Sequence, residues 1–177
     1  MGHFSGLPSQ FIRLRCAMVI GEMNRLIQRC RMMTEHTESA DIPQVAANFM
    51  DKDHDEALAL LARVVRCLEE MPTSKAESGR LRDDLRDFIE HSRAHFRREE
   101  ALMKAVEFPP FQLHKQEHDA RLEALVAYVD DLDAGVMEAA DLKPLLVEDF
   151  VPWYRRHCAT MDKATARFVA RKEGGEP

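Results

Sequence analysis

From residue 44 to residue 171 the apolar side chains recur at steps of three and four in four long runs, and proline or glycine punctuates the gaps between them. Runs of that length and period fit helix, and each leaves an apolar stripe that must be covered. The first extends from about Gln44 to Glu70, with Phe49, Met50, Leu58, Leu61, Val65 and Leu68 on one face. Met71-Pro72-Thr73-Ser74 stops it, because proline cannot carry the helical hydrogen-bond ladder onward. The second spans about Ser78 to Ala105 through Leu81, Leu85, Phe88, Ile89, Phe96, Leu102 and Met103, and Phe108-Pro109-Pro110 closes it. The third reaches Leu132 with Leu122, Leu125, Val126 and Val129, before Asp133-Ala134-Gly135. Asp141 suits the N-cap of the fourth, which runs to about Arg171 with Leu145, Leu146, Phe150, Trp153, Phe168 and Val169. Pro144 fits its first turn, and Pro152, inside it, predicts a kink or a local restart.

Four amphipathic helices joined by short loops bury their stripes by packing antiparallel around a shared core. The expectation is an all-α, up-down-up-down four-helix bundle over residues 41–171. Only seven glycines and a preponderance of Ala, Leu, Glu, Arg and Met agree with it, since these side chains lose little rotamer freedom in a helix. Residues 1–40 form an N-terminal extension. Its stretch from Ser9 to Met33 carries Val19, Met23, Leu26, Ile27, Cys30 and Met33 at helical spacing. That additional N-terminal helix needs a partner: the bundle itself, a second copy in a homodimer, or another protein. A membrane-surface role is a poorer fit, because Arg13, Arg15, Arg25, Arg29 and Arg31 are only partly clustered. Residues 172–177, with Gly174 and Gly175, read as a disordered tail.

The net charge of −6, with basic residues scattered among acidic ones, leaves no stripe to neutralise phosphates, so nucleic acid is excluded as a partner. No apolar run is long enough to cross a bilayer, and Arg13 and Arg15 interrupt the stretch from Phe11 to Ile20 that a signal peptide would need. Cys16, Cys30, Cys67 and Cys158 lie on expected helices without zinc or thioredoxin spacing, and read as small buried hydrophobes in a reducing compartment. A cytoplasmic location is expected.

Most of the eight histidines fall on inner faces, where apolar residues belong. His95 and Glu99 are four apart, as are His114 and His118, and four helical residues turn about 400°, which stacks the two side chains of each pair. Extending the first stripe puts His54 on the same inward face; His157 points inward four residues after Trp153. Asp162 is five after His157, so a regular helix would leave it about 140° away, reaching sideways. A single such pair is weak, and one inner histidine is most often a hydrogen-bonded core residue. Seven polar groups together are different: each left unpaired would cost on the order of 1–3 kcal/mol, against a total stability of about 5–15 kcal/mol. A pair of cations satisfies them at once. Imidazole plus carboxylate without thiolate suits iron, manganese or zinc.

The order His54, His95-Phe-Arg-Arg-Glu99, His114-Lys-Gln-Glu-His118 and His157-Cys-Ala-Thr-Met-Asp162 resembles the hemerythrin family, particularly bacterial hemerythrins. Met50-Asp51-Lys52-Asp53-His54 is similar to the family's Ile-Asp-x-x-His, Phe108-Pro109 to its Tyr-Pro, and Trp153 precedes His157 by the family's four residues. The resemblance covers about residues 41–171.

The resemblance implies two iron ions sharing an oxo or hydroxo bridge, with Glu99 and Asp162 as bridging carboxylates. It gives three histidines, His114, His118 and His157, to one iron, and His54 and His95 to the other, leaving one coordination position open. In that family dioxygen binds there and leaves unchanged, which implies oxygen storage, delivery or sensing rather than catalysis; the alternative is a di-iron enzyme or sensor reacting with oxygen, peroxide or nitric oxide. Phe96, Trp153 and Phe111 are candidates for the pocket wall, Phe111 equally for plain packing. Tyr154 and Cys158 stand where the family commonly has aliphatic residues. Tyr154 either turns its hydroxyl to solvent or presents it to the open position, and Cys158 reads as packing. His91, one turn before His95, fits a helix boundary with water access better than a supporting contact to a metal ligand; His3 and His36 fit solvent, and Arg97, Arg98 and Glu100 fit a charged outer face.

Overall fold

The computed structural model describes residues 44–70 and 75–173, and every element among them is helical. Three long helices come first: α1 (Gln44–Glu69), α2 (Lys75–Ala105) and α3 (Phe111–Asp133). A fourth rod follows, composed of α4 (Ala139–Pro144), a π-helical turn (Leu145–Phe150), α5 (Val151–His157), a second π-helical turn (Cys158–Asp162) and α6 (Lys163–Glu173). The backbone stays right-handed helical across each of its junctions. The boundaries lie within three residues of those expected from periodicity. The expected helix at Ser9–Met33, the break at Met71–Ser74, Cys16, Cys30, His3 and His36 lie outside the described residues.

The stripes meet as their spacing requires. Leu58, Leu61 and Leu68 of α1 share one apolar core with Leu81, Leu85 and Phe88 of α2, Leu125 and Val129 of α3, and Leu142, Leu146 and Phe150 of the fourth rod. Phe88 and Phe150 meet edge to face at 5.5 Å, and Cys67 is buried in the same core. Outside the core, Arg63 pairs with Asp84 across α1 and α2, and Arg82 and Arg86 hold Asp133 at the end of α3.

The connections set the register of the polar residues. After α2 the chain reverses at Glu107 (φ 55°), and the Phe108 amide donates to the Met103 carbonyl at 2.9 Å, closing the helix end. Phe108 then packs edge-on to Phe168 at 5.2 Å. The His114 amide donates to the Pro110 carbonyl, so the first turn of α3 already carries a histidine. After α3, Gly135 (φ 69°) supplies the left-handed residue and the Val136 amide returns to the Asp131 carbonyl.

Two local expectations are corrected in the fourth rod. The N-cap is Glu138 rather than Asp141; Asp141 lies three residues in, and its carboxylate accepts from the Glu138 backbone amide at 3.0 Å. Pro144 accordingly ends α4 rather than opening it. Pro152 does mark a local restart: it sits in the first turn of α5, directly after the first π-turn, whose wider coil absorbs the ring's clash with the preceding turn.

A candidate metal centre

His95 and Glu99 come from α2, His114 and His118 from α3, His157 and Asp162 from the fourth rod, and His54 from α1. Glu99, His114 and His118 are fully buried, and His95, His157 and Asp162 nearly so; the side chain of His54 retains 12% of its exposure. The Nε2 atoms of His114 and His157 are 2.9 Å apart, and those of His118 and His157 3.0 Å. Glu99 Oε2 lies 3.5 Å from His118 Nε2, 3.7 Å from His114 Nε2 and 3.9 Å from His95 Nε2. Asp162 divides its oxygens: Oδ1 is 3.1 Å from Nε2 of both His114 and His157, and Oδ2 is 3.0 Å from His54 Nε2. All seven expected residues are thus brought to one interior point.

The expected sideways reach of Asp162 does not occur. The second π-turn begins at Cys158 and ends at Asp162, and a helix that repeats at i→i+5 stacks residue 162 over residue 157. One wide turn therefore removes the offset of about 140° that a regular helix would leave.

Outside the cluster, hydrogen bonds orient the imidazoles. His95 Nδ1 lies 3.2 Å from Asp53 Oδ2, and His118 Nδ1 3.3 Å from Glu100 Oε1. A carboxylate only accepts, so both Nδ1 atoms carry the proton and both Nε2 atoms present lone pairs. Thr165 Oγ1 donates to the Met161 carbonyl at 3.1 Å, which leaves its lone pair to accept from His114 Nδ1 at 3.2 Å. His114 Nε2 is then bare as well. Arg98 donates to Asp53 from Nη2 at 2.6 Å, and His91 Nε2 donates to the Asp53 carbonyl at 2.9 Å. His91 is partly exposed at the α1–α2 seam, as its position suggested, but Arg98 and Glu100 are not merely a charged outer face. Asp53, Glu100 and Thr165 escape sequence reasoning because their partners lie on other helices or a turn away; the nearest signal was a carboxylate directly before His54.

Whether these residues suit a cation is decided by their unmet needs. Both oxygens of Glu99, Oδ2 of Asp162 and Nε2 of His54 are buried and make no hydrogen bond. Around His157 Nε2 converge two bare nitrogens and a carboxylate oxygen, with at most one proton to share among them. Burial pushes the Glu99 carboxyl well above its usual range, and the neighbouring Asp162 adds to the rise. Burial, with His114 and His157 alongside, pulls His118 down to about 2, and burial also lowers His95. Both imidazoles are thereby held in the neutral, metal-ligating form. Burial works against the Asp53 carboxylate, yet hydrogen bonds from His95 and Arg98 outweigh it and bring it to about 2, so it stays a charged acceptor. Neutral imidazoles facing buried carboxylates call for positive charge at their centre.

Aromatic side chains wall the cluster. Phe96 stacks on His118 at 3.8 Å, nearly parallel. Trp153 lies 4.8 Å from the His157 ring and donates its indole N–H to Glu117 at 2.6 Å. Tyr154 is buried, hydroxyl included, and its ring meets His54 edge-on at 6.1 Å, so the solvent-facing arrangement is not the one adopted. Cys158 packs against the apolar core as expected, and its Sγ also lies with ligand atoms of His54 and Asp162 within 4.8 Å of one another, beside the site. Phe111 is not a wall residue: it is partly exposed under the Lys104 ammonium, 5.2 Å from its ring.

With this geometry in place, comparison with known proteins is direct. The family model for the hemerythrin HHE cation binding domain matches residues 45–168. A bacteriohemerythrin of Aquifex aeolicus (strain VF5) is 32% identical over 126 residues, covering 71% of this chain and 92% of that protein. A bacteriohemerythrin of Ralstonia nicotianae (strain ATCC BAA-1114 / GMI1000) is 35% identical over 85 residues, covering 48% of this chain and 60% of that protein. No solved structure matches the chain at a comparable level.

Proposed function

We propose, from the premise that this chain belongs to the hemerythrin family, that it is an oxygen-binding protein whose five histidines and two carboxylates hold two iron ions. His114, His118 and His157 would hold one ion and His54 and His95 the other, with Glu99 and Asp162 as carboxylates shared between them. The four rods run up-down-up-down as one bundle, with residues 1–40 as an extension ahead of it; the expected tail at 172–177 is shortened, since α6 includes Lys172 and Glu173. The observation that carries the reading is the divided carboxylate of Asp162, one oxygen on the His114 and His157 side and the other on the His54 side.

When bound, a pair of irons, with the oxo or hydroxo bridge that the family implies, would supply the electrons and the coordination position that dioxygen needs. The chain's own residues supply the rest. Asp53, Glu100 and Thr165 hold the protons of His95, His118 and His114 on Nδ1, which turns each Nε2 inward as a lone-pair donor. Phe96 and Trp153 exclude water from the buried side, which keeps a bound gas from leaving as a reduced, protonated product. His54, the most exposed of the seven, marks the side from which a small ligand enters. These parts serve storage, delivery or sensing alike.

The test begins with protein expressed in iron-replete medium: two irons per chain are expected, with a visible spectrum that changes between the aerobic and the reduced, anaerobic sample. Stopped-flow mixing of the reduced protein with dioxygen should give reversible uptake. Irreversible oxidation alone overturns oxygen carriage. The buried hydroxyl of Tyr154 beside His54 favours one second reading, an enzyme or sensor that reacts with oxygen, peroxide or nitric oxide. Steady consumption of one of these, lost in Tyr154→Phe, would establish it; stoichiometric binding without turnover would remove it.

A further inference from the structure

We propose that Cys158 is a sulfur ligand for the ion held by His54 and Asp162, occupying the position that the five imidazoles leave free. The inference rests on the two-ion reading above and adds a donor to it. Ligand atoms of Cys158, His54 and Asp162 all lie within 4.8 Å of one another. Donors on one ion, with bonds of about 2.0–2.3 Å, are separated by at most about 4.4 Å, so a small rotation of the cysteine side chain brings sulfur to bonding distance. A second observation points to the ion independently of the thiol. Asp162 Oδ2 and His54 Nε2 face each other at 3.0 Å, both buried, and neither makes a hydrogen bond. Asp162 is itself 3% exposed.

The local sequence explains why a thiol reaches this place. Cys158 opens the second π-turn that stacks Asp162 over His157, so the three residues face one wedge of the rod. His54 is the most exposed of the seven, and Cys158 is only partly buried; sulfur therefore stands on the open side, not behind the buried imidazoles. On binding, the S–H bond breaks as the S–metal bond forms, the electron pair stays with sulfur, and one proton passes to water. No electron is transferred. The consequence is a guarded vacancy, in which a small ligand must displace the thiolate to reach the ion.

The experiment titrates the metal-stripped full-length chain with cobalt(II), without oxygen, and records the near-ultraviolet band that thiolate-to-cobalt charge transfer produces. The wild type should show the band, and Cys158→Ser should take up cobalt without it; Cys158→Ala serves if the serine variant departs from the wild-type circular dichroism. Two cobalt ions bound by the wild type with no such band overturns sulfur ligation and leaves the site standing. Failure of the wild type to bind cobalt overturns the site itself. A second arm uses azide on the iron-loaded, oxidised protein. If the thiolate holds the position roughly nine-tenths of the time, azide binds about tenfold more tightly to Cys158→Ala; equal affinities overturn occupancy of the vacancy.

Discussion

Glu99 carries the largest conflict at the scale of single residues. It is fully buried, neither oxygen makes a hydrogen bond, and burial drives its carboxyl to hold a proton. Nothing about folding alone favours such a residue near the end of α2; only a cation does. Glu99→Met keeps the length and removes both oxygens. The metal-stripped variant should be more stable than the metal-stripped wild type by about 1–3 kcal/mol, the cost of an unsatisfied buried group, while metal uptake is lost. Denaturant unfolding of the two stripped chains checks it, and a less stable variant would mean that Glu99 has a partner of its own. Asp53 is the complementary case, a carboxylate whose partners are in place: His95 Nδ1 on one side and Arg98 on the other. Asp53→Ala frees the His95 ring to turn and to change tautomer. Competition with a chelator should show metal affinity weaker by about 10- to 100-fold, the usual loss when an outer partner of a metal-ligating histidine is removed, with far-ultraviolet circular dichroism unchanged.

The helices divide cleanly into what a sequence can and cannot announce. The pairs His95/Glu99 and His114/His118 were legible because regular α2 and α3 preserve the four-residue step, and the apolar stripe from Met50 to Leu61 fixed the direction of His54. The position of Asp162 was not, because a π-turn inserts one residue into the helical count without any composition to mark it. Asp53, Glu100 and Thr165 were illegible for a different reason: which outer residue meets which imidazole depends on how the helices pack against one another. Tyr154 and Cys158 were located on the site's rod, but only the coil of that rod decides that both turn inward. The π-turn makes its own prediction. Deleting the exposed Ala159 removes the extra residue, returns the segment to a regular helix, and leaves Asp162 four residues from His157, still stacked above it. That variant should fold and take up two metal ions. An alanine inserted after Thr160 instead swings Asp162 by about 100°, and metal uptake should fail. Metal analysis of the two purified proteins decides; loss of metal in both would show that the wide turn does more than align a carboxylate.

For the whole molecule, the site and the core compete for the same interior. The apolar cluster of Leu58, Leu61, Phe88, Leu146 and their neighbours can hold the four rods together, while the polar cluster draws stability from them unless it is filled. Metal removal should therefore lower the melting temperature, by an amount equivalent to about 4 kcal/mol at a free metal concentration a thousandfold above the dissociation constant. The stripped chain should also respond to acid in a definite direction. His95 and His118 are held neutral in the folded chain, His118 down to about 2, while in the unfolded chain both gain a proton below about pH 6.5. Those two sites make the unfolded state bind more protons, so they destabilise the fold as pH falls. Glu99 opposes them: its carboxyl keeps a proton in the folded chain that the unfolded chain has lost above about pH 4.3. Two imidazoles oppose one carboxyl, so the stripped chain loses stability as the pH falls from about 6 to 5. Asp53, already charged down to about 2, adds its own loss only below about pH 4, as the pH falls toward that value. Urea unfolding of the stripped chain at pH 6 and pH 5 should show stability falling with pH, and Glu99→Met should steepen the fall by removing the carboxyl that opposes it. A stripped chain equally stable at both values would mean that the imidazoles are already protonated in the fold, and neutral ligands waiting for a cation would be the wrong description of the cluster.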